Sequence, residues 1–222
     1  MIRPVDLCYW ACIACYDPIT PGVFGQVLTV KDVTICVRYD GPDTVIVFPG
    51  SEKAADWRDD FEAFPYEHPT LGTLHWGFWK FIPEIVDKIA PLIRGDLYIA
   101  GHSLGGAHAA GAAAEFGLRG VRTKYLAMFE APRVGCETFA EFLPKWVDDA
   151  VLTWNGLDLV DIVPLPPWRD NWEITRLDGE PGGFEDLNPF AYHMGALVYK
   201  TYIKAGLGQE TQIMPSPPLS KL

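Results

Sequence analysis

The chain has 222 residues, 49% of them hydrophobic and 21% charged, a composition that excludes a disordered protein. Its length suits one hydrophobic core, since single cores keep growing up to roughly 250–300 residues. Eighteen Lys and Arg against 29 Asp and Glu leave a formal net charge of −11, a field that repels phosphate backbones and so argues against nucleic acid as a partner.

Along the chain, Val5–Tyr16 carries small and apolar residues at helical spacing and stops at Asp17-Pro18, which predicts a helix covering a sheet face and then a loop. The same stretch follows Asp6 and lacks a small-residue cleavage site, and no apolar run reaches the roughly 18–20 residues of a bilayer helix. We therefore expect no signal peptide, no integral membrane segment, and a cytoplasmic location or release by lysis. The five cysteines, Cys8, Cys12, Cys15, Cys36 and Cys136, are odd in number, few for this length and three of them bunched, unlike a disulfide framework. Cys8, Cys12 and Cys15 have the C-x3-C-x2-C spacing of an iron–sulfur triplet, but i, i+4, i+7 is also one face of a helix, and a buried helix face is the reading we adopt.

Strand-like runs at Gln26–Val30, Val33–Tyr39 and Thr44–Phe48 are joined by turn residues and predict a β-meander. Glu52–Leu74 is charged, aromatic and poorly periodic, a lid or binding loop by pattern. His75–Arg94 reads as a helix interrupted near Pro83, Leu97–Ala100 as a short buried strand, and Ser103–Phe116 as a helix rich in Ala and Gly. Then come Thr123–Phe129 as a strand, Glu137–Val147 as a helix, Ala150–Trp154 and Trp172–Leu177 as strands, and Ala191–Ala205 as a helix. Strands alternating with helices predict an α/β fold with a mostly parallel central sheet and helices on both faces. Residues 1–205 are expected to form a single domain, and 206–222, with Pro215, Pro217 and Pro218, a loose tail.

Gly101-His102-Ser103-Leu104-Gly105-Gly106 places G-x-S-x-G after a predicted strand and before a predicted helix, the context of a nucleophile elbow. A phosphate-binding turn would need the P-loop lysine, which is missing. A serine hydroxyl needs a base, and the base a carboxylate that fixes its tautomer. In the α/β-hydrolase fold the chain order is Ser, acid, His. His68, His75 and His102 precede Ser103 and His108 lies just behind it, so His193 is the candidate base. Asp158 and Asp161 follow the Ala150–Trp154 strand, where catalytic groups reach the sheet edge, whereas Asp148 and Asp149 belong at the opposite edge. Asp170, Asp178 and Asp186 lack a strand-end position.

With these motifs in place the chain resembles the class 3 lipases, the family of the fungal triacylglycerol lipases. The matching segments are Val47-Phe48-Pro49-Gly50-Ser51, Asp56-Trp57, His75-x-Gly77-Phe78, Gly101–Gly106 and Ala131-Pro132-Arg133-Val134-Gly135 with Phe139-Ala140. Pro49 stands where the family usually has Arg. The resemblance implies the α/β-hydrolase fold. Through Asn155-Gly156-Leu157-Asp158-Leu159-Val160 it favours Asp158 as the acid, although Asp161 can also be aligned through D-I-V-P. His193 followed by Tyr199 resembles the family's H-x5-Y. The oxyanion of ester attack would be met by the Leu104 N–H, the residue after the nucleophile, and, by resemblance, by Ser51.

The implied activity is serine carboxylester hydrolysis on a small-molecule or lipid ester, with no metal or organic cofactor required. Phospholipid, aryl ester and thioester hydrolysis, or a catalytically silent binding protein on the same fold, are the alternatives. Glu52, Asp56, Asp59, Asp60 and Glu62 mix with Trp57, Phe61 and Phe64 where fungal relatives carry an amphipathic lid. That acidity leads us to expect weak interfacial activation and a preference for soluble, short-to-medium acyl esters.

Overall fold

Pro4 opens the first helix, α1 (Pro4–Tyr9), at a position where its missing N–H costs nothing. Asp6 accepts the Arg3 backbone N–H at 3.1 Å and the Arg3 guanidinium at 2.6 Å, a capping box that fixes the helix start. The chain then widens into a π-helical turn over Trp10–Ala14, with the Cys15 N–H donating to the Trp10 carbonyl at 3.1 Å. The expected helix is present, and Cys8, Cys12 and Cys15 are buried and free of disulfides. These and all following features belong to a computed structural model that describes residues 2–16, 18–50, 64–155, 174–177 and 195–207.

The strands are β1 (Gln26–Val30), β2 (Val33–Asp40), β3 (Asp43–Phe48), β4 (Pro65–His68), β5 (Gly72–His75), β6 (Leu97–His102), β7 (Thr123–Phe129), β8 (Val147–Asn155) and β9 (Ile174–Leu177). Among the described residues the main sheet runs β1-β2-β3-β6-β7-β8-β9. The first three form the expected antiparallel meander, turned at Lys31 and Asp32, whose φ values of 48° and 67° suit a tight hairpin. From β3 onward every neighbouring pair is parallel. Strand β6 is buried at every residue, as a strand covered on both faces must be.

The helices after α1 are α2 (Trp76–Trp79), α3 (Ile82–Ile89), α4 (Leu104–Leu118), α5 (Glu137–Phe142) and α6 (Gly195–Tyr202). On one face Ile46, Phe48, Ile99, Leu126 and Met128 pack against α3, α4 and α5. On the other, Val45, Val47, Ala100, Ala127 and Phe129 pack against the N-terminal helix and Val198 and Tyr202 of α6. Helix α4 is apolar but for His108 and Glu115 and is buried from Gly105 to Gly117, and its alanines let it sit between the sheet and α3.

Four expectations need correction. Part of the segment read as a lid is a β-hairpin, β4 pairing with β5 from Pro65↔His75 to His68↔Gly72, while 51–63 lie outside the described residues. His75 closes that hairpin instead of opening a helix, and the helical stretch after it breaks into α2, α3 and a 3-10 turn at Ala90–Leu92. The helix placed over Glu137–Val147 ends at Phe142, because Pro144 tightens Leu143–Lys145 into a 3-10 turn and Val147 already belongs to β8. Strand β8 is accordingly longer than Ala150–Trp154 and contains Asp148 and Asp149 at its start.

Candidate active site

Ser103 sits between β6 and α4 with φ 59° and ψ −132°, a conformation that costs a non-glycine residue about 1–3 kcal/mol. The surroundings hold it there. Its N–H donates to the Phe129 carbonyl at 2.8 Å, and its own carbonyl accepts the Gly106 N–H at 2.8 Å. A Cβ on Gly101 would collide with the Gly105 carbonyl, and one on Gly105 with the Phe48 carbonyl. The turn can therefore form only with glycine at both positions, the physical content of G-x-S-x-G. Ser103 is 1% exposed, and its Oγ has no hydrogen-bond partner among the described residues.

Leu104 is the first residue of α4, so its N–H is one of the first-turn donors that lack an intrahelical acceptor. Gly50, at the end of β3, presses against the elbow: a Cβ there would lie 2.7 Å from Ser103 Cβ. Tyr16 joins the two loops. Its hydroxyl accepts the Gly50 N–H at 3.0 Å and shares a hydrogen bond with His102 Nδ1.

The structure thus places Ser103 and Leu104 together at the C-terminal edge of the sheet. Ser51, Asp158, Asp161 and His193 lie outside the described residues. The edge itself is defined by the register His102↔Phe129 and Phe129↔Thr153. Asp148 is at the opposite end of β8, tied to Arg122 at 2.7 Å and Lys124 at 3.5 Å, and Arg122 holds its carboxyl below the usual range.

Each of the other four histidines has a setting of its own. His68 Nδ1 accepts the Thr70 and Leu71 N–H groups in the β4–β5 turn, and burial lowers its pKa. His75 is buried and stacked on Phe78 at 4.0 Å between ring centroids, with burial pushing it down to about 4. His108, on α4 beside Phe48, is pushed down to about 4 by burial and secondarily by Lys80. Both rings are neutral at pH 7. His102 is engaged by Tyr16. Among the described residues no group of three or more His, Cys, Asp or Glu could hold a metal.

Two residues at this edge were not found by sequence reasoning. Tyr16 is 86 positions from His102, and nothing local announces that contact. Glu130 follows β7, is fully buried and has φ 52°. Its signal was an acidic residue directly after a strand and downstream of Ser103.

A serine held at a strained strand-to-helix turn, at the C-terminal edge of a mostly parallel sheet covered by helices on both faces, defines the α/β hydrolases. The family described as Lipase (class 3) matches residues 45–168, more than half of the chain, and the protein belongs to that family. It is a lipase-type carboxylic ester hydrolase whose substrates are lipid esters. Among solved structures, Lip2 lipase from Yarrowia lipolytica matches with a TM-score of 0.65 at 16% identity, over 86% of this chain and 91% of that one. A triacylglycerol lipase from Penicillium expansum matches with a TM-score of 0.58 at 17% identity, over 79% of each chain. A triacylglycerol lipase whose catalytic centre is described as a serine protease triad matches with a TM-score of 0.56 at 22% identity, over 72% and 74% of the two chains. No curated protein sequence matches the chain. Among the described residues no helix is long and apolar enough to cross a membrane.

Proposed function

We propose that the protein hydrolyses acyl esters through an acyl-enzyme on Ser103. The observation that carries this reading is the strained, fully enclosed Ser103 turn, whose N–H and carbonyl are both fixed by hydrogen bonds while its Oγ has no partner among the described residues. Ser103 Oγ attacks the acyl carbon as its proton passes to His193, with Asp158 orienting the imidazole. The negative charge moves to the former carbonyl oxygen, where the Leu104 N–H and Ser51 stabilise it, each such donor being worth roughly 3–4 kcal/mol. Collapse of the tetrahedral intermediate breaks the ester C–O bond, and the leaving alcohol takes the proton from His193. Water then repeats the sequence on the acyl-enzyme, releasing the acid and restoring Ser103. The serine protease triad described for a triacylglycerol lipase of similar structure supports these roles.

The acidic segment following Ser51 supports a preference for soluble, short-to-medium acyl chains over an oil surface. Hydrolysis of p-nitrophenyl esters from acetate to palmitate, by wild type beside Ser103→Ala, tests both parts. We expect an optimum at or below medium chain length and loss of all but a trace of activity in the variant. An inert wild type that also fails to react with a fluorophosphonate would instead favour a binding protein on this fold.

A further inference from the structure

The π-helical turn at Trp10–Ala14 is a rare conformation of a kind that recurs at functional sites. Both of its ends are anchored. The Trp10 ring lies against the Arg38 guanidinium of β2 at 4.7 Å, and the Thr20 N–H donates to the Ala14 carbonyl at 2.9 Å. Between these anchors the backbone skips one acceptor. In a regular α-helix the Cys15 N–H would donate to the Ala11 carbonyl four residues back. Here it donates to the Trp10 carbonyl at 3.1 Å, and the Ala11 carbonyl accepts the Cys15 thiol at 3.2 Å instead. Ala11 is fully buried, where a carbonyl left without a donor is costly, so the thiol replaces the backbone donor that the wider turn removes.

Burial, with a smaller effect from the neighbouring Cys36, holds the Cys15 thiol well above its usual range. The donor therefore keeps its proton across neutral pH.

The width of the turn decides where the next residue points. Returning it to α-helical bonding would rotate Tyr16 by about 100° around the helix axis, one residue's share of a 3.6-residue turn. As the turn stands, the Tyr16 hydroxyl accepts the Gly50 N–H at 3.0 Å and shares a hydrogen bond with His102 Nδ1. Gly50 is wedged in the same contact: a Cβ there would lie 2.6 Å from the Tyr16 hydroxyl oxygen and 2.7 Å from Ser103 Cβ. One hydroxyl thus touches both neighbours of the nucleophile, His102 before it in the chain and Gly50 across from it at the end of β3.

We propose that the π-helical turn is a positioning device of the hydrolase, in which the Cys15 thiol holds the turn open and the open turn aims the Tyr16 hydroxyl at Gly50 and His102. The inference rests on the reading of Ser103 as the nucleophile. Neither Cys15 nor the turn touches the reacting atoms. They act through Tyr16, by fixing the spacing between the β3 end and the elbow, and a sub-ångström loosening there costs rate more than substrate binding.

The test compares wild type, Cys15→Ala, Cys15→Ser, Tyr16→Phe and the double variant of Cys15→Ala with Tyr16→Phe by Tm, and by kcat and KM on p-nitrophenyl butyrate. In Cys15→Ala we expect kcat to fall about fivefold with KM within about twofold. Cys15→Ser should return kcat to within about twofold of wild type, because a serine hydroxyl also donates to the carbonyl four residues back. Its Tm should still fall, since a hydroxyl costs more to bury than a thiol, and that split separates positioning from stability. The double variant should be no slower than Tyr16→Phe alone, because both changes act through one hydroxyl. Cys12→Ala, which removes a thiol from the same turn but leaves the Ala11 carbonyl its donor, should keep kcat within about twofold. Losses that multiply in the double variant, or a Cys15→Ser as slow as Cys15→Ala, overturn the proposal. Where Cys15→Ala does not accumulate, Cys15→Val and Cys15→Thr, alike in shape and different in the donor, make the same comparison. A fluorophosphonate separates the two readings. Wild type that fails to label overturns the nucleophile assignment and this inference with it, whereas wild type that labels while the losses multiply overturns only the role of the turn.

Discussion

The Tyr16 hydroxyl accepts the backbone N–H of Gly50 and shares a hydrogen bond with His102 Nδ1, so one phenol just beyond the N-terminal helix ties the end of β3 to the turn that presents Ser103. Tyr16→Phe keeps the ring and removes both bonds. Two partly buried polar groups lose a partner, and we expect a loss of about 1–3 kcal/mol in stability. Because Gly50 leads into the proposed oxyanion residue, kcat should fall about tenfold while KM stays within about twofold, the signature of an interaction used mainly in the transition state. Urea denaturation and steady-state kinetics on one soluble ester check both. A variant that loses stability but keeps kcat would confine Tyr16 to a structural role.

Gly105→Ala and Gly111→Ala make a matched pair in α4. Each gains up to about 1 kcal/mol of helix propensity. At Gly105 the new Cβ would collide with the backbone carbonyl of Phe48, which cannot turn aside without breaking the β3 end. At Gly111 it would meet only side-chain atoms of Ile82, Cγ1 at 3.0 Å and Cδ1 at 3.2 Å, a contact that a shift of the side chain by a few tenths of an ångström relieves. We expect Gly105→Ala to lose about 3 kcal/mol or more, or to fail to accumulate as soluble protein, and Gly111→Ala to stay within about 1 kcal/mol of wild type. Thermal melts of the purified variants decide it, and equal Tm values for the two would contradict the tight contact at Gly105.

The main sheet was legible in the sequence wherever strands are buried on both faces. The continuous apolar runs ending at Phe48, Ala100 and Phe129 have no other stable reading between turn signals. The β4–β5 hairpin was not legible. Pro65–His68 alternates exposed and half-buried residues, and its pairing with Gly72–His75 is held by long-range contacts such as His75 N–H to the Val134 carbonyl at 2.8 Å. The elbow was legible because its glycines answer to local sterics. Tyr16 was not, because a hydrogen bond across 86 positions leaves no periodic trace. Glu130 was visible as an acid after a strand, but its positive φ has no sequence signature in a glutamate.

Acid sensitivity should arise in part from His75 and His108. Both are pushed down to about 4 by burial, against an ordinary value of 6.5. The unfolded chain takes up protons near pH 6.5 while the folded rings stay neutral until about pH 4. Their contribution to stability is therefore complete above pH 6.5 and is lost as the pH falls toward 4. At about 1.4 kcal/mol per pKa unit, each ring is worth on the order of 3 kcal/mol across that window. Urea midpoints measured from pH 7.5 to 4.5 should fall steeply in wild type and less steeply in His108→Leu and His75→Phe. Parallel slopes in all three proteins would rule these two rings out as the source.

Asp158 and Asp161 are separated by the loss expected on neutralising each. An acid that fixes the tautomer and stabilises the imidazolium is worth several orders of magnitude in kcat, whereas a neighbouring loop carboxylate is worth little. Asp158→Asn should reduce kcat about 10³-fold or more, and Asp161→Asn less than about tenfold, with both variants still folded by near-ultraviolet circular dichroism. The reverse order would move the role to Asp161.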